Sequence, residues 1–385
     1  MRVSVMLSRK EAVVATAEAT FRLSLFENES TNFNARLVDF AVWLCLPVAM
    51  RLGEDLHVEG IGSRETCHNA GELSRTWESW LPGRFSAVQV SFDHYSSATP
   101  DQESNKNVCL YSGGLDSTYT ALKLKQSRLD PYLLTVFGMD YKLGDSDRFR
   151  KLIEKTSNFA DRNFPARVFL ESNAYEVYRK YRINIDGGHF THIFALMAAA
   201  FALSESFDSV FIAADGRLDQ QFIMHPWGSN SATNPWFSDG HMQLKTHGDD
   251  ALRADKVAAL AGNSEAMSAV TVCMDYDSRP HNCGVCSKCR RTKLMFIAIT
   301  GQVPPIFNNM AIDQDILRSV DLSSKTERAH FTHLYHCASG NGYLSLIPGL
   351  REKFDSFKAA SAVKTKKRGF NRFKSYVLRK IAIQR

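Results

Sequence analysis

The sequence predicts an α/β protein built on a parallel sheet, with a smaller α+β region ahead of it. Short, nearly all-apolar runs (VCLY, YLLTVF, SVFIAA) alternate with helix-length segments from Val108 onward. Strands apolar on both faces belong to sheets covered by helices on both sides. A glycine pair, Gly113 and Gly114, directly follows the first of these runs.

The 385 residues suffice for one large domain or for two or three ordinary ones. From residue 1 to about 105, short alternating segments surround one apolar block, Leu37 to Gly53, which reads as a helix up to about Pro47. A helix near Glu72 to Trp80 and a strand from Phe85 to Phe92 complete an α+β domain of unknown role. Turn-rich residues, Ser96 to Asn107, mark the expected boundary. The strand Val108 to Tyr111 then leads to a helix over Ser117 to Lys125. Strand Tyr132 to Phe137 precedes a helix over 147–159. Strand Ala166 to Glu171 precedes an apolar helix over Thr191 to Ser204, and strand Ser209 to Ala214 closes the series. From Asp215 to Gly248 the periodicity lapses, and the two Pro-Trp turns there predict a packed functional loop. The expected domains are therefore 1–105, 106–305 and a helical extension over 306–385.

An apolar share of 44% and a charged share of 23% are those of a globular chain. The longest apolar stretch, Ile193 to Leu203, is too short to cross a bilayer, and the first residues lack the apolar core of a secretion signal. A cytoplasmic location is expected. The net charge of +6 is local: Lys364 to Arg385 holds nine Lys or Arg and no Asp or Glu. Phe370, Phe373, Val377 and Ile381 would line one face of a helix there. Three readings stay open for this tail: a solvated terminus, a surface for anionic membrane or nucleic acid, and a dock for a protein partner.

A strand running through two glycines into a helix start aims several backbone N–H groups, and the positive end of the helix dipole, at one spot. Such a spot suits phosphate. Glycine allows close approach of the backbone, and Ser112, Ser117 and Thr118 add hydroxyls. Neither the Walker pattern nor G-x-G-x-x-G is present.

The stretch SGGLDS, Ser112 to Ser117, resembles the S-G-G-x-D-S signature of the PP-loop, or N-type ATP pyrophosphatase, superfamily. That resemblance implies ATP held by Ser112, Gly113, Gly114, Leu115, Asp116, Ser117 and Thr118, and cleaved to AMP and pyrophosphate. It makes Asp116 and Ser117 the catalytic candidates, with Mg²⁺ shared between the phosphates and Asp116. Cations and N–H dipoles would stabilise the leaving pyrophosphate.

Four of the eight cysteines, Cys273, Cys283, Cys286 and Cys289, fall within one short stretch as Cys-x9-Cys-x2-Cys-x2-Cys. Four thiolates so spaced predict a structural Zn²⁺. A ferredoxin-type cluster would need a further cysteine where Lys293 stands. CGVCSKCRRT also resembles the zinc element of 7-cyano-7-deazaguanine synthases, with Thr292 at the position of that family's arginine. The match covers about residues 106–300. It implies an ATP-dependent carbon–nitrogen ligase of deazaguanine (queuosine-type) biosynthesis, which adenylates an acceptor carboxylate and forms an amide or nitrile.

The middle of the domain departs from that family. NIDGGHFTHIF (184–194) and DGRLDQQFIMHPWGSNSATNPW (215–236) replace its substrate-facing segments. The acceptor is thus either a small-molecule carboxylate or a modified macromolecule. Asp215 and Asp219, just past a strand end where open sheets bind ligands, are the substrate candidates. His189, His192, His225 and His241 fall in the same segments and read first as structural. Larger PP-loop proteins with added domains occur in antiphage (antiviral defence) and surface-polysaccharide systems, and the chain is similar to that looser group. Thiolation of a nucleobase, which would call on Cys109 or Cys337, and a non-catalytic ATP- and zinc-binding partner module are the alternatives. Oligomerisation is compatible with either.

Overall fold

The computed structural model describes residues 1–27, 31–96, 106–183, 190–223, 226–312, 316–318 and 320–358. Most of the expected boundary segment, His189, His225 and the basic tail lie outside the described residues. The chain divides into two compact units, Met1–Cys283 and Gly284–Arg385.

The first unit opens with an antiparallel meander, β1 (Arg2–Leu7), β2 (Glu11–Ala15) and β3 (Thr20–Leu25). Alternating exposure along β2 and β3 turns Ala12, Val14, Phe21 and Leu23 into the core. Helix α1 (Asp39–Leu52) follows, and every residue from Asp39 to Met50 is buried. It runs through Pro47, where the sequence was expected to stop it. Burial on all sides stabilises the helix enough to offset one missing N–H bond.

Strand β4 (Leu56–Gly62) leads to α2 (Arg64–Trp80), longer than expected because the Ser63 hydroxyl caps it by accepting from the Thr66 N–H at 2.9 Å. Strand β5 (Val90–Tyr95) takes only the end of the expected 85–92 run. Upstream, the Ser86 N–H donates to Met50 O and the Val88 N–H to the Ser74 hydroxyl, so those groups bond to helices instead of a strand.

The alternating half then follows the predicted order with one unexpected helix, α5: β6 (Asn107–Leu110), α3 (Leu115–Gln126), β7 (Tyr132–Phe137), α4 (Ser146–Asn163), β8 (Arg167–Ser172), α5 (Ala174–Lys180), α6 (His192–Phe201) and β9 (Ser209–Ala213). The segment expected to be irregular holds a short helix α7 (Leu218–Gln221) and an edge strand β10 (Gln243–His247), followed by α8 (Arg253–Ala261) and α9 (Ser264–Ala269).

The ten strands among the described residues share one sheet, in the order β10-β9-β6-β7-β8-β3-β2-β1-β4-β5. The five from β10 to β8 are mutually parallel. β3 joins them antiparallel to β8, with Leu23 opposite Ser172, so the residues on either side of the expected boundary continue one sheet and one hydrophobic core. From β6 the chain adds β7 and β8 on one side, then crosses to β9 and β10 on the other. This reversal falls between the carboxyl ends of β6 and β9, the crevice position where open α/β sheets take ligands.

In the second unit, α10 (Ser287–Thr300) packs on α11 (Lys325–Gly340). Among the described residues no helix is long and apolar enough to cross a membrane.

Candidate functional site

The loop Ser112–Gly114 leaves β6 at that crevice, and Gly114 is the N-cap of α3. Gly113 has φ +70°, and a Cβ there would lie 3.0 Å from Thr156 Cγ2, 3.2 Å from Thr271 Cγ2 and 3.3 Å from Leu152 Cδ1. Only glycine fits both the backbone and the space. The Gly113 carbonyl accepts from the Thr271 N–H at 2.7 Å, which fixes the loop from behind.

The hydroxyls of Ser112 and Ser117 lie 3.2 Å apart; the Gly114 N–H donates to the first, and the second donates to the Gly114 carbonyl. Ser112 is exposed and Ser117 buried. Leu115 and Thr118 are buried, and the Thr118 N–H closes the first turn by donating to the Gly114 carbonyl at 2.9 Å. First-turn N–H groups of a helix have no partner inside it. The loop is therefore shaped for an anion.

Asp116, in the first turn of α3, does not stand alone. Its Oδ2 accepts from Arg253 Nη1 at 3.0 Å and its Oδ1 from Lys256 Nζ at 3.1 Å. Lys256 is completely buried and also donates to the Ala214 carbonyl at the end of β9, at 2.5 Å. The ammonium thus ties the start of α3 to the end of β9, and a buried charge requires partners of this kind. Both cations come from α8, whose first turn closes as the Leu252 N–H donates to the Asp255 carboxylate. Sequence reasoning missed them. RADKVAALA reads as an ordinary amphipathic helix, and its only clue is that Arg253 and Lys256, three residues apart, share a face.

Asp215 follows Ala214 directly and is exposed; its Oδ2 accepts from Trp227 Nε1 at 2.6 Å. The Trp227 ring lies 5.8 Å from that of His192. Asp215 is thereby placed at the crevice. Asp219 instead pairs with Arg217 through two hydrogen bonds, and that partner holds its carboxyl below the usual carboxylate range. His241 stands 3.9 Å from Asp208, while its N–H donates to Asp239. His247, unremarked in the sequence, ends β10, and burial pushes its ring below the usual imidazole range.

The sulfurs of Cys273, Cys283, Cys286 and Cys289 lie within 4.8 Å of one another, with Cys273 and Cys289 buried. Thiolates about 2.3 Å from a common ion are roughly 4 Å apart in a tetrahedron, so this group can hold a metal ion, and its all-sulfur donor set suits zinc. Gly284, at φ +80°, permits the turn between two of the ligands; a Cβ there would overlap the Asn309 carbonyl. Lys293, where a ferredoxin pattern would place cysteine, is buried and donates to the carbonyls of Asn309 and Ala311 at 3.1 and 2.7 Å. Those bonds secure the same segment.

The stretch carrying Cys273 is also held from α4. Lys155 Nζ donates to the carbonyls of Val270 and Pro280, and Arg148 donates to those of Tyr276 and Asp277. Asn282, fully buried, bonds both the Val272 N–H and the Val270 carbonyl, and Arg279 Nε donates to the Cys273 carbonyl. Thr271, which holds the Gly113 carbonyl, sits two residues before Cys273. The anion-shaped loop and the cysteine stretch are thus joined by one backbone hydrogen bond. No family model matches this chain, and no curated protein or solved structure shows significant similarity to it.

Proposed function

We propose that the chain is an ATP-dependent enzyme of the PP-loop type, which adenylates an acceptor carboxylate, releases pyrophosphate and lets a nitrogen nucleophile displace AMP. The observation that carries this reading is the position of SGGLDS. It lies at the carboxyl end of β6, where the strand order reverses, and two basic side chains converge on its Asp116. In this reading the loop backbone and the Ser112 and Ser117 hydroxyls bind the polyphosphate. The N-terminal end of α3 stabilises charge developing on the leaving pyrophosphate. Mg²⁺ accompanies the phosphates and adds Lewis acidity. The four cysteines hold a structural zinc behind the loop, and the acceptor enters beside Asp215 and Trp227. The expected product is an amide or nitrile, as in 7-cyano-7-deazaguanine synthases.

A second reading concerns the acceptor. Leu218, Phe222 and Ile223 are exposed large apolar residues on the segment after β9, with Phe222 at 72%. Apolar side chains so exposed favour an acceptor carried on a macromolecule over a small free carboxylate.

The test is a pyrophosphate-release screen against deazaguanine carboxylates, sugar acids and co-purifying macromolecules. Acceptor-dependent AMP and pyrophosphate are expected. Acceptor-dependent ADP would sink the reading, and ATP binding with no pyrophosphate from any acceptor would favour a non-catalytic module.

A further inference from the structure

We propose that Asp116 is a positioning residue and not a metal ligand, and that Arg253, which it holds in place, is the side chain that meets the pyrophosphate portion of the nucleotide. The proposal rests on the ATP reading above. Its basis is a chain of three ionic groups. Lys256, buried and bonded to the Ala214 carbonyl, fixes Asp116 Oδ1; Asp116 Oδ2 in turn fixes Arg253 Nη1.

Both oxygens of Asp116 are already engaged by cations. Each oxygen has a second lone pair, but a metal ion there would share the carboxylate with two cations that repel it unless it displaced one of them. Losing Lys256 would leave an ammonium with no exposure to water and no counter-charge, which is strongly unfavourable. Losing Arg253 would discard the more accessible cation beside the loop just as a highly charged anion arrives.

Arg253 has the properties the role requires. Its side chain keeps 20% of its exposure, against 1% for Lys256, so it reaches solvent at the crevice. A guanidinium carries five N–H donors in a planar fork that matches phosphate oxygens. Among the described residues its only hydrogen bond is the one from Nη1 to Asp116. Two cations against one carboxylate make this three-group cluster net positive, in line with the helix dipole. The geometry thus places protein-supplied positive charge where a metal ion alone would otherwise carry the whole demand.

Titration calorimetry with inorganic pyrophosphate in magnesium-free buffer, and separately with Mg–ATP, tests this on the full chain. Arg253→Ala should weaken pyrophosphate binding at least tenfold with or without magnesium, and Arg253→Lys should restore part of it. Asp116→Asn removes a negative charge beside an anion, and simple electrostatics would make binding tighter. The positioning role demands the opposite: weaker magnesium-free binding, and a double variant no weaker than Arg253→Ala alone. Tighter or unchanged magnesium-free binding by Asp116→Asn, with loss confined to Mg–ATP, would make Asp116 a metal ligand and overturn the proposal. Unchanged binding by Arg253→Ala would overturn it while leaving the ATP reading intact. A wild type that binds neither probe would remove the ATP reading and the proposal with it. Should Asp116→Asn fail to fold because Lys256 is stranded, the two Arg253 variants carry the test.

Discussion

Replacing Gly113 by alanine probes the loop at its most constrained point. At φ +70° an L-residue costs about 1–2 kcal/mol in backbone strain. The added methyl meets Thr156 and Leu152 of α4, and Thr271, at 3.0–3.3 Å, and such overpacking costs about 1–3 kcal/mol. Together the penalty is about 2–5 kcal/mol. Gly114 is the control. Its φ of −68° suits alanine, and its nearest neighbour is the movable Ser112 hydroxyl at 3.2 Å. Alanine there should change stability by less than about 1 kcal/mol in either direction. Urea denaturation of the two variants beside the wild type measures the difference. Equal effects of the two alanines, or a Gly113→Ala cost below about 0.5 kcal/mol, would show that the loop is not held as described.

Three further outcomes are expected. Cys286→Ser should lose bound zinc by elemental analysis and lower the melting temperature, since metal binding and folding are coupled in such sites; a normally folding variant from a zinc-free wild type would refute the metal assignment. Stripping the metal with a strong chelator should raise amide exchange at Gly113–Ser117 through the Thr271–Gly113 bond, and unchanged exchange there would mean the two sites are independent. Asp39, whose carboxyl burial pushes up to about 6 from 3.8, binds its proton more tightly folded than unfolded. Its contribution is complete below about pH 4 and declines as the pH rises to 6 and beyond, by ~3 kcal/mol in all. Asp39→Asn should therefore gain stability relative to wild type between pH 4.5 and 7.5, and parallel urea midpoints across that range would count against it.

Runs of Val, Leu, Ile and Phe buried on both faces made β6, β7 and β9 legible in the sequence, together with the loop that follows β6 and the cysteine spacing. β10 was hidden because an edge strand with a single neighbour, QLKTH, carries polar residues like a loop. Pro47 misled for the opposite reason: a helix buried all round tolerates a defect that would end an exposed one. The partnership of Asp116 with Arg253 and Lys256 joins residues far apart in the chain. Nothing local in a charged helical segment reveals that one of its lysines is dry.

The antiparallel joint between β3 and β8 has a bearing on synthesis. Leu23 waits for Ser172, about 150 residues further along, before its strand gains that neighbour. At ribosomal speeds this is roughly 8–30 s, during which the meander holds an open edge. Whatever shields that edge on the nascent chain, whether a chaperone or slow translation, would govern the yield of folded protein more than the stability of the finished sheet.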